Sequence, residues 1–225
     1  MPDLSPTIDA IFFKLANSWA NAGDDGVTAN SVNTTFTADS TFLNSIDLSA
    51  FSAVQLERAA IEFNTSGITE TPTSATIKLH GTGTTDAAIK IIGVEANFAT
   101  DGAIVVGDYD SWNEASPVDY TDVLNGSAWN NDAYNTFTLT AAAKAAMVSQ
   151  DVIQIMWLEY DNDYDRASAG SGNVDMNLGA CGRSNSDASK RPVLSYTLPI
   201  TTGPIKLGAG STFKISSGKF TIGQQ

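Results

Sequence analysis

The stretch Val152-Ile-Gln-Ile-Met-Trp-Leu-Glu-Tyr160 is apolar on both of its alternating faces. Ile153, Ile155 and Trp157 fall on one side; Val152, Met156 and Leu158 fall on the other. β-Branched and aromatic residues at this density, in so short a run, predict a strand in the middle of a sandwich. The pattern extends outward from it. Residues 58–63 alternate, with Ala59, Ile61 and Phe63 inward and Arg58, Ala60 and Glu62 outward, which predicts a half-buried strand. Residues 75–80 repeat this, with Ala75, Ile77 and Leu79 inward and Thr76, Lys78 and His80 outward. Segments 88–95 and 103–106 are apolar on both sides, and residues 9–14 read as a first strand. Phe137 and Leu139 alternate with Thr136, Thr138 and Thr140, and a closing strand over Val193–Leu198 turns Leu194, Tyr196 and Leu198 inward.

Two stretches interrupt the strands. From Asn17 to Asp47 the chain is rich in Asn, Thr, Ser, Asp and Gly, with Gly23-Asp-Asp-Gly26 a turn signal. This predicts a long loop region with one strand near Thr34–Thr37. Thr140 is placed to cap a short helix over Ala141–Val148. Strands punctuated by turns, with one short helix, define an all-β, jelly-roll-type antiparallel sandwich rather than a parallel α/β fold.

Composition agrees with one such sandwich. The 225 residues suit a single large β domain, and 42% hydrophobic residues supply a core. A formal net charge of −13 repels phosphate backbones and anionic lipid, which argues against nucleic-acid binding and membrane insertion. The single cysteine, Cys181, forbids an intrachain disulfide. It reads as a small, partly buried residue; a reactive thiol wants a basic or His neighbour, and the local sequence supplies only Arg183. The start, Met1-Pro-Asp-Leu-Ser-Pro6, lacks a charged segment followed by an apolar one. The expectation is a chain kept in a cytoplasm or released without a signal, as inside a virion.

Five motifs in order resemble the disaggregatase-related (DNRLRE-type) jelly-roll domains. Arg58-Ala-Ala-Ile-Glu-Phe-Asn64 is similar to their R-x-x-L-x-F-D strand, and Thr73-Ser-Ala-Thr-Ile-Lys-Leu79 to their I-x-S-A-x-L-x-L strand. Asp110-Ser-Trp-Asn-Glu114 is similar to their W-x-E element, and Phe137-Thr-Leu-Thr140 to their F-D-V-T strand. Lys190-Arg-Pro-Val-Leu-Ser-Tyr196 is similar to their closing R-P-x-L-x-V-x-Y strand. The resemblance spans Ile8 to Leu198. It departs at Asn64, where Asp is usual, and over the first fifty residues. It implies a carbohydrate-module-like sandwich attached to cell-surface or polysaccharide-acting proteins, and it brings no catalytic residue.

Candidate chemistry is limited. One histidine, His80, cannot build a zinc site in a chain with one cysteine, and it falls on an outward strand face. No catalytic site is expected. Asp161-Asn-Asp163-Tyr-Asp165 places carboxylates at alternate positions, which suits structural calcium, although Arg166 and Gly172 break the EF-hand pattern. An Arg-paired loop is the competing expectation, and Asp108 and Asp110 form a second acidic pair. Tyr109, Trp112, Tyr120, Trp129 and Tyr134 sit among Asp, Asn and Gly. Flat rings with polar handles stack on sugars; they equally pin a long loop to a core.

The chain changes character after Leu198. Residues 199–225 hold Lys206, Lys214 and Lys219 and no acidic residue; the twelve basic residues less these three leave nine against all 25 acidic ones. Ile205-Lys206-Leu207-Gly208, Phe213-Lys214-Ile215-Ser216 and Phe220-Thr-Ile222-Gly223 repeat one pattern of apolar, polar, apolar, small. Lys219 precedes the third repeat. Such short strands cannot bury their apolar face alone. The division expected is a sandwich over 1–198 and a C-terminal short-strand extension over 199–225 for docking or self-association. The function expected is a non-catalytic structural protein on the surface of a virus-like particle, a phage capsid decoration or fibre component. A carbohydrate-binding module of a secreted or cell-surface protein is the alternative.

Overall fold

The computed structural model describes residues 2–18, 21–22, 28–34, 41–48, 53–83, 85–98, 104–165, 176–200, 211–216 and 219–224. For residues 41, 44–48, 211–216 and 219–224 it defines the backbone path. Strands run antiparallel in every sheet, and the architecture is an all-β sandwich with one α-helix among the described residues.

The smaller sheet contains β1 (Asp3–Leu4), β6 (Ser74–His80), β9 (Tyr134–Thr138) and β12 (Val193–Thr197), in the order β1-β12-β6-β9. The larger sheet is built on β5 (Ala53–Asn64). Along one edge of β5 runs β2 (Pro6–Ala16), itself paired with β3 (Ser31–Asn33). The other edge divides at Arg58. Residues 53–57 pair with β4 (Thr41–Leu48), which carries β11 (Met176–Gly179). Residues 59–64 pair with β10 (Val152–Glu159), followed by β7 (Lys90–Glu95) and β8 (Leu124–Asn125).

The inner faces meet as the alternation predicts. Ala59, Ile61 and Phe63 of β5, Ile153, Ile155 and Trp157 of β10, and Ala75, Ile77 and Leu79 of β6 are all buried in one cluster with Phe137 and Leu194. Helix α1 (Ala141–Ser149) closes one end of this core with Ala143, Ala146 and Met147. Its start is fixed as expected: the Thr140 hydroxyl accepts from Ala143 N at 3.2 Å.

Four expectations need correction. β5 is buried on both faces, so Arg58, Ala60 and Glu62 do not face solvent; Phe98, Ile104, Tyr109 and Trp112 cover that side. Val106–Asp110 is a 3₁₀ turn, not part of a strand, and Ala103 lies outside the described residues. The 17–47 region contains β4, whose Phe42 and Leu43 are buried behind the polar composition, and a short β3 at Ser31–Asn33; Thr35–Thr37 lie outside the described residues. The last body strand ends at Thr197, leaving Leu198 exposed.

Beyond the body, β13 (Ser211–Ser216) and β14 (Lys219–Gln224) form a separate two-stranded sheet. Its register sets Phe213 opposite Ile222 and Ile215 opposite Phe220. Directly opposed residues share a face of an antiparallel pair, so these four positions lie on one face, and Lys214 and Lys219 on the other. Ile205, Lys206 and Leu207, the first repeat, lie outside the described residues.

Candidate functional site

Arg58 organises the outer face of the larger sheet. Its even-numbered position on β5 points it away from the main core, into a layer made by the 104–112 segment and the turn after β10. It is fully buried, and a buried guanidinium is tolerated only when its donors are satisfied. Nε donates to Asp163 Oδ2 at 2.8 Å and Nη2 to Asp163 Oδ1 at 2.7 Å, a two-pronged pair. Nη1 donates to the Tyr109 carbonyl at 2.7 Å and lies 3.6 Å from Asp110 Oδ1. The guanidinium carbon sits 4.0 Å from the Tyr109 ring centre and 5.5 Å from that of Trp112.

The turn that delivers Asp163 is a π-helical turn, Tyr160–Tyr164, capped by Glu159, whose side chain accepts from Asp161 N and Asn162 N. Asp161 Oδ1 accepts from Lys90 Nζ at 2.8 Å. Of the three carboxylates that suggest calcium, Asp163 is therefore turned inward onto Arg58, Asp161 pairs with Lys90, and Asp165 is exposed. Asp108 accepts from Val105 N and Asp110 stands beside Arg58. Among the described residues no group of three or more His, Cys, Asp or Glu side chains is arranged to hold a metal ion. The partners of Asp163 and Asp161 are distant in sequence, so spacing alone does not reveal them.

The aromatic cluster is placed differently from a shared sugar platform. Tyr109 (0% exposed) and Trp112 (4%) belong to the outer layer; Tyr120 (1%) and Trp129 (8%) belong to the main core. The Tyr120 hydroxyl donates to Glu95 at 2.8 Å, and Trp129 packs at a tilt on Phe137. Tyr134 alone of the five is half-buried; its hydroxyl donates to the carbonyls of Ser189 and Arg191. The loop-pinning alternative describes the first four. Two half-buried rings that the sequence reading passed over, Tyr160 and Tyr164, stack at 5.2 Å, and Tyr164 stacks on Trp112 at 6.1 Å.

An open cleft of about 500 Å³ lies at the α1 end of the larger sheet, with more apolar than polar surface in its lining. Glu95, Asn97, Ser111, Asn113, Gln150 and Gln154 line it together with Ala96, Val118 and Val152. Its floor is preorganised: Gln154 Oε1 accepts from Phe98 N at 2.7 Å, and Nε2 donates to Glu62 at 2.8 Å. Side-chain amides and a carboxylate offer both donors and acceptors to hydroxyl groups. A second polar pocket, of about 210 Å³, opens beside His80 and Cys181.

Two buried carboxylates, Asp9 and Glu159, and one half-buried one, Glu57, have raised pKa values. Burial raises Glu57 and Glu159 to about 7 and Asp9 to about 6, and in Asp9 the bond and charge of Arg183 oppose the rise.

No protein-family model matches the chain, and a search of curated proteins finds no match. Among the described residues no helix is long and apolar enough to cross a membrane.

Proposed function

We propose that this protein is a non-catalytic structural component of a surface assembly, of the kind that decorates a virus-like particle, and that it associates with copies of itself through residues 199–225. The observation that carries this reading is the hairpin register, which gathers Phe213, Ile215, Phe220 and Ile222 on one face. A two-stranded ribbon is marginal alone in water, so an apolar face on it favours association. Charge favours a second copy as the partner. The hairpin region is basic and the rest of the chain strongly acidic, so the ribbon of one copy is attracted to the body of another. Repetition over a particle surface multiplies weak contacts by avidity. Light scattering on the full chain tests this: an oligomer is expected, and Ile215→Asp, which places a charge on the apolar face, should dissociate it. A wild-type monomer at micromolar concentration overturns the reading.

A second reading, a carbohydrate-binding module, is favoured by this cleft of mixed polar and apolar lining rather than by the buried aromatic residues. Its six polar lining side chains suit a hydroxylated ligand. Glycan-array binding that is lost in Asn97→Ala and Asn113→Ala supports this reading; binding indifferent to both rejects it.

A further inference from the structure

The cleft at the α1 end of the larger sheet carries one sign of charge. Among the described residues that line it, Glu95 is the only charged side chain, and no Lys, Arg or His takes part. Glu95 ends β7 and is half-buried. Its Oε1 accepts from the Tyr120 hydroxyl at 2.8 Å and from Gln150 Nε2 at 3.4 Å, which fixes the carboxylate in place. Among the described residues nothing donates to Oε2, so that oxygen is open to a ligand.

The surroundings reinforce that sign. Behind the floor, Glu62 Oε2 accepts from Gln154 Nε2 at 2.8 Å and Glu62 Oε1 from the Thr7 hydroxyl at 2.6 Å. Glu114, Asp119 and Asp151 each adjoin a lining residue in the chain: Asn113, Val118 and Val152. The cations of the neighbouring elements are engaged elsewhere. Arg58 of β5 is held by Asp163, Lys90 of β7 by Asp161, and Lys144 of α1 donates to the Thr73 carbonyl. A concave site lined by one sign of charge concentrates ligands of the other sign.

The rest of the lining is two-sided, as a sugar ring is. Ala96, Val118 and Val152 offer apolar surface to C–H groups. Asn97 and Asn113 are exposed and offer amides to hydroxyl groups. Asn113 Oδ1 accepts from Ser116 N at 3.1 Å, which orients that amide; its Nδ2 and the whole Asn97 side chain make no hydrogen bond among the described residues. A sugar carboxylate placed here would meet Glu95 with Glu62 behind it, and like charges repel. A sugar ammonium would instead donate a charge-assisted hydrogen bond to Glu95 Oε2.

Resting on the carbohydrate-binding reading, we propose that this cleft selects sugars with a free amino group, of the glucosamine class, and that Glu95 sets that specificity. The ammonium binds Glu95 Oε2, the hydroxyl groups meet Asn97 and Asn113, and the C–H face of the ring lies on Val118 and Val152. Acetylation of the amine removes its charge and with it the preference. Acidic sugars are excluded by the same carboxylate.

The test is calorimetric titration of the native full chain with three disaccharides at about pH 6, where a sugar amine is an ammonium. They are the glucosamine disaccharide, its N-acetylated form and a galacturonate disaccharide. The amino sugar should bind about tenfold tighter than the N-acetylated one, and the galacturonate should not bind. Glu95→Gln keeps an acceptor for the Tyr120 hydroxyl and should bring the first two within about twofold, by weakening the amino sugar. Asp132→Asn, the same change of charge at a residue of the other pocket, should leave the preference intact, which separates the cleft from general attraction to an acidic protein. Asn97→Ala should weaken both neutral and amino sugars alike. Equal affinity for the amino and N-acetylated sugars, a preference that survives Glu95→Gln, or one lost in Asp132→Asn would overturn the inference and leave the carbohydrate-binding reading standing. Binding of none of the three would overturn both.

Discussion

The two faces of the larger sheet are both buried, by different physics. The inner face of β5 and β10 meets the smaller sheet through Ala59, Ile61, Phe63, Ile153, Ile155 and Trp157, an interface of shape and apolar area. The outer face is covered by loops, which carry polar backbone that a sheet would have paired. There the cover is tied down by one cation: Arg58 holds Asp163 in one loop and the Tyr109 carbonyl in another. An apolar face needs an opposing layer; a loop-covered face needs, in addition, a polar anchor.

The largest test of this contrast removes the anchor. Arg58→Ala strands Asp163 without a counter-charge in the interior and should cost ~3–5 kcal/mol in chemical denaturation. Because the pair is costly to bury, the double change Arg58→Met with Asp163→Leu should recover most of that loss. A single-mutant cost below ~1 kcal/mol would show that the loops hold without it. Next is the inner face, where Ile155→Ala should cost about 3 kcal/mol through a cavity, with no dependence on salt or pH.

A smaller effect depends on pH. The carboxylates with raised values, Glu57 and Glu159 at about 7 and Asp9 at about 6, bind protons more tightly folded than unfolded, chiefly through desolvation. The folded state therefore gains stability as pH falls from about 7 towards 4.5 and loses it as pH rises through that window. The melting temperature should be higher at pH 5.5 than at pH 8. Replacing Glu57 and Glu159 by Gln should flatten that slope; an unchanged slope would contradict the assignment. The smallest effect is local: Thr140→Ala removes the α1 cap and should cost ~1 kcal/mol, read by thermal melts.

The inner face was legible in sequence because strand alternation has a period of two and apolar burial obeys it, as at Ala75, Ile77 and Leu79. The outer face was not. Arg58 reads as a solvent residue, and nothing local announces that Asp163, 105 positions away, neutralises it. The same limit hid β4, where polar residues surround two buried apolar ones, and the meeting of His80 with Cys181. Tyr109 and Trp112 were legible as important but not as buried, because an aromatic residue in a polar loop suits a sugar platform and a loop anchor equally. The hairpin repeat was legible: Phe213–Ser216 falls within β13 and Phe220–Gly223 within β14.

That hairpin is the remaining contrast. The inner face is covered by a sheet and the outer face by loops, whereas no other described strand pairs with β13 or β14. Self-association is what we propose covers it. The most direct measurement is the native mass of the full chain beside that of a chain ending at Leu198. An oligomer is expected for the first and a folded monomer for the second. Equal subunit counts for the two, whether both monomeric or both oligomeric, would contradict it.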